Sequence, residues 1–260
     1  MLVERQARIL GHIVSEYVST ALPVGSETIV RKYALPISPA TVRSEMARLE
    51  EEGYITHPHT SAGRIPSDRG YRFYVESLME EEDLPWYEKR SIQQRLRTAA
   101  RAASGRAELL AERARIAATV LAESVRNAAV ATAPRSPRMD EEDLALYDRP
   151  YLEGLRNVLS QPEFSQTEDV IDLVCVLEEG NLLRAIPFDN LSDEDVTVVI
   201  GEENREDVMR RCSVVLTRYG VPGRAVGALA VLGPTRMAYS RVIPTVRYLS
   251  LLMGDLVAQG

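Results

Sequence analysis

Residues 38–68 read SPATVRSEMARLEEEGYITHPHTSAGRIPSD, and the fold of the N-terminal third follows from how they divide. Ser38 is a good N-cap, Pro39 takes the first helical position, where its missing N–H costs nothing, and Gly53 stops the run after LEEE. These marks predict one helix. Beyond Gly53, YIT and RIP are short β-favouring pieces flanking HPHTSAG, a segment of turn formers, and together they read as a hairpin. On a helical wheel Val42, Met46 and Leu49 share one side of the helix, which leaves Ala40, Arg43, Ser44, Ala47 and Arg48 on or near the other.

Upstream, Ile9, Leu10, Ile13, Val14 and Tyr17 recur at three- and four-residue spacing, as in an amphipathic helix that ends at LPVGS. Ser26 is a candidate N-cap for a short second helix through Tyr33, and ALPIS is another break. Downstream, Ser67 and Asp68 open a further helix carrying Tyr71, Phe73, Tyr74 and Val75, before the acidic run Glu80–Asp83. Three short helices followed by a hairpin make the winged helix-turn-helix arrangement, which places its last helix in the DNA major groove. Residues 1–78 are predicted to form this domain.

The remainder is predicted to add up to an α+β chain. Residues 88–127 are rich in arginine and alanine and read as a long connecting helix, with Gly105 as a point of interruption, in a connecting region over 79–132. The tract APRSPRMDEED, 133–143, reads as a linker or exposed loop at the start of a last domain, 133–260. In that domain 151–159 and 167–178 are helix candidates, and three apolar runs at 196–201, 212–219 and 224–233 are strand candidates, enough for a small sheet. A helix kinked near Pro244 is expected from about Tyr239 to Gln259.

Composition narrows the function. With 260 residues, 45% hydrophobic and 27% charged, the chain is too long for a miniprotein and too apolar for wholesale disorder. No window has the eighteen or so apolar residues of a membrane span, and Glu4, Arg5, Arg8 and Glu16 interrupt the start, so a cytoplasmic protein without membrane attachment is expected. The net charge of -7 conceals segregation: 84–138 carries +7, whereas 139–211 carries -14. An acidic total still leaves room for a locally basic surface, because fields are screened over about 8 Å at physiological salt.

The outer face of the third helix is small, polar and basic, which suits double-stranded DNA. Small residues let a helix backbone approach base edges, Arg43 and Arg48 can donate to guanine or phosphate, and Ser38, Thr41 and Ser44 can donate to phosphate oxygens. The hairpin adds His57, His59, Thr60, Ser61 and Arg64, with no carboxylate among residues 57–67, as a wing on the phosphate backbone requires. The alternative is a winged helix used for protein contact. His57 and His59 alternate onto one strand face, yet no third ligand is near them in sequence, so neither metal nor cofactor is expected. The arginines of 88–127 are either a second nucleic-acid contact or, as preferred here, the solvated face of a connecting helix. Cys175 and Cys212 lie in apolar runs and read as small core residues. With no catalytic triad spacing, no phosphate-cradling glycine loop and all three histidines within the first 60 residues, an enzyme is not expected.

The stretches LVERQARILGHIVSEYV, PVGSETI and SPATVRSEMARLEEEGYITHPHTSAGRIPSDRGYRFYV resemble the N-terminal domain of the bacterial heat-inducible transcription repressor family HrcA. LSQPEF at 159–164, IGEEN at 200–204 and LGPTRMAYSRVIPTVRYLS at 232–250 resemble its C-terminal half. The resemblance implies a dimeric repressor on an inverted-repeat operator upstream of chaperone operons, released on heat shock and assisted by the chaperonin GroEL. It also implies a GAF-like second domain, into which the family inserts a dimerisation segment. Here VLAESVRNAAVATAPR at 120–135 resembles the entry into that domain's sheet, but YLEGLRNVLSQPEF follows almost at once, so a reduced sheet is expected. The connecting helix and the C-terminal helix are then the expected dimer surfaces. Two other readings stay open: a metabolite-sensing winged-helix regulator, and an interaction protein that has lost DNA binding.

Overall fold

The structure, a computed structural model, describes residues 2–58, 63–98, 105–135, 150–178 and 196–259. The chain divides into two compact units, Met1–Glu80 with Thr235–Ser240, and Glu81–Pro234 with Arg241–Gly260.

In the first unit α1 (Glu4–Thr20) buries Ile9, Leu10, Ile13 and Val14, the stripe expected from their spacing. Full burial of each such side chain contributes about 1.5–3 kcal/mol. Helix α2 (Ser26–Lys32) starts one residue earlier than the capping signal suggested: Gly25 is the extended N-cap residue, and Ser26 is buried in the first turn. Helix α3 (Pro39–Glu51) begins as its sequence dictates, with the Thr41 backbone N–H donating to Ser38 Oγ at 3.1 Å. Val42, Glu45, Met46 and Leu49 are its buried side.

Strands β1 (Ile55–Thr56) and β2 (Ile65–Pro66) pair antiparallel as the expected hairpin. A third piece of backbone joins them, because Val24 N–H donates to the Arg64 carbonyl at 2.8 Å and Arg64 N–H to the Val24 carbonyl at 2.9 Å. Gly63 makes this approach possible: a Cβ there would lie 2.6 Å from the Val24 carbonyl carbon. Helix α4 (Asp68–Phe73), capped by Ser67 Oγ accepting from Gly70 N–H at 3.1 Å, continues as a π turn over Tyr74–Leu78. The distant segment Thr235–Ser240 completes this unit. Met237 and Tyr239 are buried, the Tyr239 ring lies 6.0 Å from that of buried Tyr71, and Arg236 Nη1 donates to the Val18 carbonyl at 2.9 Å.

The second unit differs from expectation in two places. The connecting region carries two helices, α5 (Trp86–Thr98) and α6 (Arg106–Val125), and Gly105, the expected point of interruption, is extended at φ -161° and ψ 172°. Three strand candidates are present as β5 (Thr197–Ile200), β6 (Cys212–Val221) and β7 (Ala225–Pro234), but the sheet has five strands. The other two are β3 (Ala128–Ala131) and β4 (Tyr151–Glu153), the latter in place of the start of a predicted helix, so that α7 covers only Leu155–Leu159. Strand β3 was hidden by composition. Its residues AAVA continue an alanine-rich helix, and only Arg126, in the left-handed conformation at φ 54°, ends α6.

The strand order is β4-β3-β7-β6-β5, antiparallel throughout. Ala128 and Val130 join a core with Val158, Phe164, Leu173, Met209 and Leu232, while Ala129 and Ala131, on the opposite pleat, are equally buried. A central strand covered on both faces explains why alanine and valine suffice there. Helix α8 (Thr167–Glu178) lies on the first face through Leu173 and Leu177. Helix α9 (Tyr239–Ala258) runs through Pro244 without a break. Within this unit α5 is tied to α9 by Arg241–Glu88 at 2.6 Å and by Gln93 donating to Tyr248 Oη at 3.0 Å. The predicted linker 133–143 lies outside the described residues beyond Arg135.

Candidate nucleic-acid interface

Helix α3 presents the face that its wheel predicted. Ala40, Arg43, Ser44, Ala47 and Arg48 are exposed, over a buried side of Val42, Met46 and Leu49. The side chains on that face are held to different degrees. Arg43 has no hydrogen-bond or ion-pair partner among the described residues, so its guanidinium is uncommitted. Ser38 and Thr41 are brought together, with their hydroxyl oxygens 3.0 Å apart, and Ser44 Oγ donates to the Ala40 carbonyl at 3.2 Å. Ser44 thus spends its one proton on the helix, and the Ser38–Thr41 pair has one proton left between them, so an external acceptor draws on Ser44 only by turning its hydroxyl away from Ala40.

Arg48 is tethered from beneath. Glu45, on the buried side of α3, pairs with Arg5 of α1 through Oε1 and lies 3.8 Å from Arg48 Nη1 through Oε2. Glu45 Oε2 is buried without a hydrogen-bond partner, so the longer contact to Arg48 is electrostatic support rather than a bond. Spacing alone does signal this pair, since Glu45 and Arg48 are three apart on a helix.

The wing departs more from its sequence. His59, Thr60 and Ser61 lie outside the described residues. His57 and Arg64 converge on one carboxylate: Glu50, in the last turn of α3, pairs through Oε1 with His57 Nδ1, and through Oε2 with Arg64 Nη2 at 2.8 Å. A stretch without acids in sequence is thus not without acids in space. Burial alone would raise the Glu50 carboxyl, but the hydrogen bond from His57 and the charges of Arg64 and His57 outweigh it and hold the group below its ordinary value. A glutamate in the last turn opposes the helix dipole, but nothing in the sequence says which side chains come to offset it.

The arginines of the connecting helices are engaged within the second unit. Arg95 pairs with Glu123, Arg115 with Glu112 at 2.6 Å, and Arg113 donates to the Leu256 carbonyl at 3.1 Å. Cys212 is buried, which pushes its thiol up to about 12 and removes it as a nucleophile, whereas Cys175, expected in the core, is exposed. Among the described residues no three His, Cys, Asp or Glu side chains are grouped to hold a metal ion, and no helix is long and apolar enough to cross a membrane.

This architecture has known counterparts. The family model described as the HrcA protein C terminal domain matches residues 106–243. The heat-inducible transcription repressor HrcA of Chloroflexus aggregans is 36% identical, with 99% of this chain and 93% of that protein covered. The chain belongs to the HrcA family. The HrcA repressor of Desulforudis audaxviator is likewise 36% identical over 95% of both chains. The alignment with the Chloroflexus protein runs to 358 positions, more than the 260 residues present here, so that HrcA carries stretches without counterpart in this chain. A crystal structure at 2.2 Å resolution, described only as that of a hypothetical protein, shares the fold, with a TM-score of 0.73 at 20% identity and coverage of 100% of this chain and 99% of that one.

Proposed function

We propose that this HrcA-family chain represses heat-shock (chaperone) operons by binding an inverted-repeat operator as a homodimer, and leaves it on heat stress. The observation that carries the reading is the outer face of α3. An uncommitted Arg43 stands among alanine and serine, on a helix whose other side is fully packed, as direct reading of base edges requires. Arg43 is assigned to a base, Arg48 to a base or phosphate, and Ser38, Thr41 and Ser44 to phosphate oxygens. His57, His59, Thr60, Ser61 and Arg64 are assigned to the wing on the backbone. A recognition helix reads only a few base pairs, so pairing of two copies doubles the contacts and sets the spacing of the half-sites. The first unit is assigned to the operator, and the second to pairing and to sensing stress, with α5, α6 and α9 as the pairing surfaces. The protein acts in the cytoplasm as a binding protein rather than an enzyme, and the chaperonin GroEL supports its active fold.

Fluorescence anisotropy on an inverted repeat from a chaperone promoter, against scrambled DNA and across a salt series, tests this reading. Selective binding that needs both half-sites is expected. Equal, salt-sensitive binding to both DNAs, unchanged by added chaperonin, overturns it.

A further inference from the structure

We infer that Glu50 sets the strength and salt dependence of DNA binding by holding the wing's Arg64 back from phosphates, so that sequence-independent attraction is trimmed while reading by α3 is left intact. This inference rests on the reading of α3 and the wing as a DNA surface.

Three observations carry it. Glu50 is the one side chain that α3 sends toward the wing among the described ion pairs, and it engages both Arg64, at 2.8 Å, and His57. The Arg64 backbone is fixed in both directions to Val24, at 2.8 and 2.9 Å, and Gly63 lets that contact close, so the guanidinium is aimed by the fold. Glu50 and Arg64 are each only a quarter exposed, and Arg64 Nε is buried without a partner, which leaves that head little freedom to turn outward.

The consequence is electrostatic. Sequence-independent binding comes almost wholly from cations that neutralise phosphates and release counterions, whereas discrimination comes from contacts to base edges. A cation already paired with a carboxylate releases no counterion from DNA. Glu50 therefore lowers affinity for every sequence by the same factor through the wing, and leaves the part that depends on Arg43 untouched. Operator and scrambled DNA thus lose affinity in equal proportion, and what changes is the strength of binding and its dependence on salt. The same pairing holds the wing at a fixed place on α3, so Glu50 acts through Arg64 and His57 and touches no base itself.

The test measures binding of the full chain to operator and scrambled DNA over a salt series, with thermal unfolding as a check on the fold. Glu50→Gln keeps the shape and removes the charge. It is expected to tighten operator and scrambled DNA alike, by about tenfold, and to steepen the logarithmic salt slope by about one, the value for one additional phosphate contact. Glu50→Asp, which keeps the charge, is expected to keep the wild-type slope, and Arg64→Gln added to Glu50→Gln is expected to restore it. Arg64→Gln alone, which remains informative should Glu50→Gln not fold, is expected to leave the slope nearly unchanged, because its charge is already spent. A full unit of slope lost in Arg64→Gln, an unaltered slope in folded Glu50→Gln, or a changed ratio of operator to scrambled affinity in that variant, overturns the assignment of Glu50 alone. A wild-type protein that does not distinguish the two DNAs overturns the DNA reading and the role of Glu50 together.

Discussion

The outer face of α3 and the wing are both basic in sequence, yet they are built in opposite ways. On α3 the decisive cation, Arg43, is left without a partner, and its neighbours are small enough to bring the backbone close to another surface. In the wing Arg64 is already balanced by Glu50, which also takes His57, and the Arg64 backbone is pinned to Val24. Charge left open is suited to reading, and charge that is closed is suited to positioning. A count of arginines cannot separate the two, because the difference lies in which carboxylate the fold brings within reach.

The most severe way to break the contrast is to remove the support that both regions share. Leu49 is fully buried beneath α3, and Leu49→Ala should cost about 2–5 kcal/mol of unfolding free energy, with the cavity left under the helix as the cause. Urea unfolding measures it, and a cost below 1 kcal/mol would show that α3 is not held by its apolar side. Arg43→Ala should come next, with about 1–3 kcal/mol of operator affinity lost and base preference relaxed at one position. An equal loss on scrambled DNA would move Arg43 to the phosphates and erase the contrast. Arg64→Gln should have a smaller effect on operator affinity than Arg43→Ala, uniform across sequences, since its partner Glu50 already holds it.

The smallest effect sharpens the comparison through pH. The Glu50 carboxyl is held below its ordinary value of 4.5 in the folded protein, so on acidification the unfolded chain takes up that proton first. Its stabilising contribution is present above the unfolded value and is lost as the pH falls through the lower, folded value. The denaturation midpoint of the wild type should therefore fall more steeply below about pH 4.5 than that of Glu50→Gln. Parallel curves would mean that the His57–Glu50–Arg64 cluster contributes nothing to stability. Arg43→Gln should leave that curve unchanged, since no carboxylate among the described residues holds Arg43.

Much of α3 was legible because its signals are local. Ser38, Pro39 and Gly53 mark its ends, and the wheel separates Val42, Met46 and Leu49 from Arg43 and Arg48 without knowledge of any neighbour. Where the neighbour decides, sequence was silent. Glu50 lies seven residues before His57 and fourteen before Arg64, on a different element, and nothing in their spacing announces that three side chains meet. The pairing of Val24 with Arg64 is of the same kind, as is the seat of Met237 and Tyr239 in the first unit. Strand β3 failed for a different reason. Alanine favours helices when it stands alone, and AAVA becomes a strand only because β4 and β7 flank it and both of its faces are covered. The sheet therefore has five strands where apolar runs alone predicted three.

The segment Thr235–Ser240 has a consequence for the order in which the protein is made. Residues 1–80 leave the ribosome first, but the core they share lacks Met237 and Tyr239, and the Val18 carbonyl lacks Arg236, until more than 150 further residues have been translated. At about 5–20 residues per second that interval is roughly ten seconds or more, long compared with the folding of a small domain. A nascent or prematurely terminated chain thus holds a first unit with an unfinished interior. Only a ribosome that has passed β7 releases one whose packing is complete.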